Sequence, residues 1–228
     1  MDLILSSGYL AFARHVGFLA AVEEAGLAVG GVCGTSSGAL VGALWASGMR
    51  APEIARLLGG RPPIAALRPS STPWRGLLSL APLRRELGAI LPATFDRLPM
   101  AFGAGATAAD GAHRLLVEGD LVESVLASCA VPYLFAAVVV AGQPLRDGGV
   151  VDRTALRPWR ARRPAELAIL HLIERSRGAV AAEDLGALPV VRSARSGASL
   201  WSLGDFEGQV EQTRRAATEV LARLAAPR

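Results

Sequence analysis

Between Glu24 and Arg50 the chain carries no charged residue, yet the run is studded with Gly26, Gly30, Gly31, Gly34, Gly38, Gly42 and Gly48. Such a stretch is long enough to cross a bilayer, but glycines at this density mark turns and close backbone packing. A second uncharged run, from Glu123 to Arg146, is interrupted by Pro132, Gly142 and Gln143. Each run is read as a buried strand joined to a buried helix, and strands this apolar belong in a sheet covered on both faces.

The flanking pattern points the same way. Residues 2–6 read as a short strand, and from Phe12 the apolar residues Val16, Leu19, Ala20 and Val22 recur at helical spacing until Gly26 stops the run. Residues 27–33 read as a second strand and 37–47 as a second helix. The repeated unit predicts an α/β fold, a three-layer α/β/α arrangement with a mainly parallel central sheet. Further along, 100–107 and 113–118 read as paired strands, 121–129 as a helix, and 138–145 as a hairpin around Ala141-Gly142. Residues 167–173 read as another strand and 207–224 as a closing helix.

At about 150 residues per domain, 228 residues favour one large domain spanning 1–228. Within it, Pro62, Pro63, Pro69, Pro73, Pro82 and Pro92 separate short apolar pieces around Trp74, and the stretch from about 59 to 98 is read as a cap-like insertion.

All 24 basic residues are arginine, and the net charge is only +4. Nucleic acid is therefore not predicted as a partner. Cys33 and Cys129 lie in apolar surroundings and read as free buried thiols of a reducing compartment. Asp2, with no basic segment before the apolar residues, argues against a secretory signal, so a cytoplasmic location is expected. No cluster has metal-ligand spacing, and without lysine no lysine-bearing phosphate loop exists. No metal and no cofactor are expected.

Gly34-Thr35-Ser36-Ser37-Gly38 fits Gly-x-Ser-x-Gly at a junction where an apolar strand passes into an apolar helix. A serine in such a sharp turn projects its hydroxyl outward, and the helix starting near Ser37 favours negative charge beside it. A serine nucleophile needs a base within reach. Arg146-Asp147-Gly148-Gly149 places a carboxylate at a strand end, followed by glycines that allow close backbone approach. His171 stands in the apolar strand Ile169-Leu170-His171-Leu172-Ile173, where a structural role is the commoner one. The loop Ser6-Ser7-Gly8-Tyr9 sits at the same end of the predicted sheet, so its amides can face an oxyanion.

These residues resemble the patatin-like phospholipases, lipid acyl hydrolases with a Ser-Asp dyad. The resemblance rests on three ordered blocks: Leu5 through His15, Gly17 and Leu19 into Glu23-Glu24-Ala25-Gly26; the Gly34 to Gly38 turn; and Ala127-Ser128-Cys129-Ala130-Val131-Pro132 with Phe135, leading to Asp147-Gly148-Gly149. It implies Ser36 as nucleophile, Asp147 as base, an oxyanion hole from the amides of Gly8 and Tyr9, and a lipid acyl ester as substrate. One departure stands out. The family commonly has a glycine-rich run with a basic residue where this chain has Ser7-Gly8-Tyr9-Leu10-Ala11-Phe12.

Three other readings compete. An α/β-hydrolase would use Ser36, Asp147 and His171 in that chain order, but only about two strands precede Ser36. An acyl-carrier transacylase would resemble Gly-His-Ser-x-Gly, and here Thr35 stands in the histidine's place. The altered loop also fits a catalytically silent lipid-binding or interaction protein. Finally, Arg153, Arg157, Arg160, Arg162 and Arg163 surround Trp159. They read as a solvated basic loop or as a peripheral contact with an anionic membrane surface.

Overall fold

The computed structural model describes residues 1–165, 167–174 and 188–225. Its order begins β1 (Asp2–Leu5), α1 (Phe12–Glu24), β2 (Gly31–Thr35), α2 (Ser37–Ala46) and α3 (Ala51–Gly59). After two short strands, β3 (Arg68–Pro69) and β4 (Leu78–Ser79), come α4 (Ala81–Gly88), β5 (Ala101–Ala108), β6 (His113–Leu116) and α5 (Leu121–Ser128). The chain then forms β7 (Val138–Val140), β8 (Gln143–Asp147), α6 (Leu156–Arg162), β9 (Ala168–Ile173), β10 (Val190–Ser193) and α7 (Phe206–Ala225).

The main sheet runs β10-β9-β1-β2-β5-β8-β7, with β6 also paired to β5. The strands from β10 to β5 are parallel, whereas β6, β7 and β8 join in antiparallel pairs. Helices cover both faces, so successive strand residues enter different cores. Leu3, Leu5, Val32 and Ile169 pack with α1, α2 and α5, while Ile4, Cys33, Leu170 and Leu172 pack with Trp159 of α6. The mixed sheet with a mainly parallel centre is the predicted class. No described helix is long and apolar enough to cross a membrane.

Pairing along β5 positions the site. Its residues 101–105 pair with β2, and 106–108 pair with β8. Because β6 occupies the other edge over 104–107, β2 and β8 must share one edge. They run in opposite directions and meet end to end, Thr35 opposite Gly105 and Asp147 opposite Ala106.

Several elements differ from the sequence-based expectation. Strand β2 starts at Gly31, not at residue 27, because Gly26 turns the chain at φ +61° and the Gly30 N–H donates to the Met1 carbonyl. Helix α3 was not anticipated; Pro52 opens it, and the Glu53 carboxylate accepts from the Arg50 N–H at 2.7 Å. Helix α6 replaces the expected basic loop. Its Trp159 is buried and donates to Asp2 at 2.9 Å, Arg163 pairs with the same carboxylate at 3.3 Å, and buried Arg153 donates to the Ile173 carbonyl. Arg153, Trp159 and Arg163 are thus engaged in holding the fold.

Residues 59–98 comprise 3-10 turns at Pro63–Ala66 and Phe95–Arg97, the β3–β4 pair, and α4. The Leu77 and Leu78 amides donate to the Tyr133 and Leu134 carbonyls at 3.1 and 2.8 Å. This ties the stretch to the segment leaving α5. Cys33 is buried, Cys129 half-buried, and both are free.

Candidate active site

Ser36 occupies the one-residue joint between β2 and α2, with φ +55° and ψ −120°. An L-residue adopts this conformation only under strain, and such strain is held in place by its surroundings. Here the Ser36 N–H donates to Ser128 Oγ at 2.9 Å, Ser128 Oγ donates to the Gly105 carbonyl at 2.6 Å, and Cys129 Sγ lies 3.2 Å from the Ser36 carbonyl. The end of α5 therefore clamps the turn. The flanking glycines have steric reasons: a Cβ on Gly34 would lie 2.3 Å from the Gly38 carbonyl oxygen, and one on Gly38 would lie 2.3 Å from that of Leu5.

Turning the backbone at Ser36 sends its hydroxyl away from the usual helix-capping position. The Ser36 Oγ donates instead to Asp147 Oδ2 at 2.6 Å. The other carboxylate oxygen, Oδ1, accepts from the Gly149 N–H at 2.8 Å, while the Asp147 N–H donates to the Ala130 carbonyl and Thr107 Oγ1 donates to the Asp147 carbonyl, both at 3.0 Å. Both glycines after Asp147 are forced by close approach. A Cβ on Gly148 would lie 2.3 Å from the Gly105 oxygen, and one on Gly149 would lie 2.7 Å from Ser7 Oγ.

Asp147 is buried, and burial raises its pKa from 3.8 to about 6, against the opposing hydrogen bonds from Ser36 and Gly149. At neutral pH it is therefore mostly an ionised carboxylate. The same charge, after the larger effect of burial, helps to push the Cys129 thiol pKa up. Cys129 is therefore a neutral neighbour of the carboxylate.

The loop after β1 adjoins this pair through Ser7, and register sets Leu5 opposite Gly34. The amides of Gly8 and Tyr9, and those of Ser37 and Gly38 at the start of α2, have no acceptor among the described residues. Such a set can donate to an anion developing next to Ser36.

His171 is held elsewhere. Its Nδ1 meets His15 Nδ1 at 2.9 Å, its Nε2 meets Ser193 Oγ at 2.9 Å, and its ring stacks on Phe18. Both nitrogens are occupied in a buried cluster that includes neither Ser36 nor Asp147. Among the described residues no group of three His, Cys, Asp or Glu could hold a metal ion. Ser128 and Thr107 are site residues for which sequence reasoning assigned no role. Ser128 stood in the Ala127-Ser128-Cys129 block, but its partners are a distant turn and a distant strand; Thr107 had no local signal.

The patatin-like phospholipase family model matches residues 3–158. Uncharacterized NTE family proteins of Mycobacterium tuberculosis and Mycobacterium bovis are each 32% identical over 161 residues, covering 68% of this chain and 44% of the relative. The match thus spans less than half the length of those relatives. Among solved structures, VipD from Legionella pneumophila superposes with TM-score 0.62 at 12% identity, covering 97% of this chain and 66% of that one. A chain of the complex of SpcU with ExoU from the type III secretion system of Pseudomonas aeruginosa gives TM-score 0.57 at 15% identity, covering 99% and 53%. At those identities the likeness is one of fold.

Proposed function

The chain belongs to the patatin-like phospholipase family, and we propose that it hydrolyses acyl esters of lipids with Ser36 as nucleophile and Asp147 as its direct base. The observation that carries this reading is the 2.6 Å hydrogen bond from Ser36 Oγ to Asp147 Oδ2. That is the range in which a general base takes a proton without an intermediary. As Ser36 Oγ attacks the ester carbonyl, its proton passes to Asp147, and the carbonyl oxygen becomes an oxyanion facing the amides of Gly8 and Tyr9 in the loop after β1. Collapse of the tetrahedral intermediate breaks the ester bond. Asp147 returns the proton to the departing alkoxide, leaving an acyl group on Ser36. Water then adds, deprotonated by the same carboxylate; the bond from the acyl carbon to Ser36 Oγ breaks, Asp147 returns the proton to Ser36 Oγ, and the fatty acid leaves.

Backbone donors do not depend on side-chain identity, so the loss of the family's basic residue at Ala11 leaves the donor set in place. Residues 59–98 are read as bordering the mouth of a single acyl hydrolase domain; the bonds from Leu77 and Leu78 to the segment after Cys129 support this. The histidine-triad reading is disfavoured, because recruiting His171 would break its contacts with His15 and Ser193.

The test is fluorophosphonate labelling together with hydrolysis of a short-chain ester. Ser36→Ala and Asp147→Asn are each expected to lose about a thousandfold or more in kcat/KM, while His171→Gln keeps activity. If His171→Gln loses as much as Asp147→Asn with unchanged thermal unfolding, the dyad gives way to a triad. No labelling of Ser36 in the intact protein would favour a silent lipid-binding role.

A further inference from the structure

Trp74, Arg75, Leu77, Tyr133, Val139 and Arg146, among others, wall an open groove of about 810 Å³. Its walls come from the chain segments that carry the site: Arg146 precedes Asp147 on β8, with its side chain on the other face of the sheet, and Tyr133 follows Cys129 in the segment leaving α5. Trp74 is 78% exposed and Tyr133 87%, and Leu77 and Val139 are exposed as well. Three more exposed large apolar side chains, Tyr9, Val150 and Val151, occupy the two loops that carry Gly8 and Asp147. Trp74, Leu77, Tyr133 and Val139 share one groove, and apolar surface gathered in this way marks an interaction face, unlike single exposed residues scattered over a protein.

Tyr133 is held outward at a cost. Its φ is +68°, a conformation in which an aromatic residue is a rare outlier and asparagine or glycine would be at ease. The turn needs only the Tyr133 carbonyl, which accepts from Leu77. The ring itself goes to solvent. Trp74 likewise sits on the turn in which the Arg75 N–H donates to the Thr72 carbonyl at 2.8 Å, and the adjoining Gly76 is pressed against Ala136, where a Cβ would lie 2.2 Å from its nitrogen. Both aromatic side chains are therefore presented from braced backbone.

Charge selects among possible partners. No acidic residue lines the groove, and neither Arg75 nor Arg146 has a carboxylate partner among the described residues. On the far side of Val139, by contrast, Glu118, Asp120 and Glu123 line a second hollow. The apolar face thus has a cationic side and an acidic border.

We propose that this Trp74–Tyr133 face is the surface by which the protein lies on a phospholipid bilayer. The indole and phenol rings enter the headgroup region, where side chains with an apolar body and a polar tip are favoured. Arg75 and Arg146 meet lipid phosphates, and the acidic border stays in water. This rests on reading the chain as a lipid ester hydrolase, whose substrate is presented by such a bilayer. It assigns the membrane contact to Arg75 and Arg146 and not to Arg153 and Arg163, which serve the fold.

Co-sedimentation with vesicles tests it, using full-length protein carrying Ser36→Ala so that no turnover remodels the lipid. Vesicles of phosphatidylcholine with phosphatidylglycerol are expected to bind the protein more tightly than phosphatidylcholine alone, and salt should reduce the difference. Trp74→Ala with Tyr133→Asn should lower vesicle affinity about tenfold or more, and Arg75→Gln should remove much of the anionic preference. Asparagine suits the backbone at residue 133, so the fold is kept.

Unchanged vesicle binding by the double variant would overturn the proposal, as would no binding by the parent protein. Reduced affinity for a short-chain phospholipid below its micellar concentration, with vesicle binding intact, would assign the groove to one acyl chain and overturn it. Loss of self-association in place of vesicle binding would assign the face to a second copy of the chain, and bilayer docking would again be overturned. Because binding is measured without hydrolysis, its failure is distinguishable from failure of the enzymatic reading.

Discussion

A carboxylate proposed to take a proton from serine must be destabilised as an anion, and burial does this to Asp147. Burial raises its pKa to about 6, and the hydrogen bonds from Ser36 and the Gly149 amide keep it from rising further. The folded value lies above the ordinary 3.8, so the folded protein holds this proton more tightly than the unfolded chain does. The resulting stability is present in full below pH 3.8 and is lost as pH rises through about 6. Asp147→Asn is therefore expected to make the protein more stable above pH 6, by roughly 2–3 kcal/mol at about 1.4 kcal/mol per pKa unit. Asparagine can still accept from Gly149 and can donate to Ser36. The reaction shows the opposite preference: kcat/KM of the parent should fall about tenfold per pH unit below pH 6, as the base is protonated. Chemical denaturation of both proteins at pH 8, with a pH–rate profile of the parent, checks the two halves. A less stable asparagine variant would mean that the ionised carboxylate supports the fold.

Elements are held together by close approaches that a sequence shows only as glycine. Helices α1 and α7 pack side by side, and a Cβ built on Gly17 would lie 2.2 Å from the Val210 carbonyl oxygen and 3.0 Å from Thr213 Cβ. Gly17→Ala would gain about 1 kcal/mol of helix propensity. The overlap is with backbone, which cannot swing aside, and forced separation of packed helices costs about 1–3 kcal/mol or more. Net destabilisation is expected, read as a lower urea midpoint with unchanged slope; a raised midpoint would show that the helices separate freely. The same contrast explains what was legible beforehand. The alternation β1, α1, β2, α2 was readable because each piece has its own apolar period, and the Ser36 turn was readable because its glycines fall at fixed offsets. The end-to-end meeting of β2 and β8 was not, since it is created by their shared edge on β5, far away in sequence. Helix α6 was hidden for a related reason: its arginines suggest a solvated loop until Arg163 and Trp159 find Asp2, the second residue of the chain.

Across the whole molecule, protons couple the site to the opposite part of the sheet with opposing sign. His15 and His171 face one another in a sealed cluster with Phe18 and Ser193, and burial pushes His15 down to about 3 and His171 well below its ordinary value, the second also repelled by His15 and Arg14. Both remain neutral in the fold but charge in the unfolded chain near pH 6.5. Their contribution is complete above pH 6.5 and is lost as pH falls toward their folded values. Near pH 5 the unfolded chain thus holds the two histidine protons, while the folded protein holds the one on Asp147. The net slope makes the protein less stable in acid. At about 1.4 kcal/mol per unit, His15 alone removes roughly 2–3 kcal/mol between pH 6.5 and 4.5, equivalent to a fall in Tm of about 5–10 °C in a chain of this size. Asp147 offsets part of that fall, so Asp147→Asn should steepen the dependence of stability on pH between 4 and 6, whereas replacing both histidines by glutamine should flatten or invert it. Thermal unfolding of the three proteins across that window decides the matter. Parallel curves for all of them would show that neither the carboxylate nor the histidine pair titrates differently in the fold.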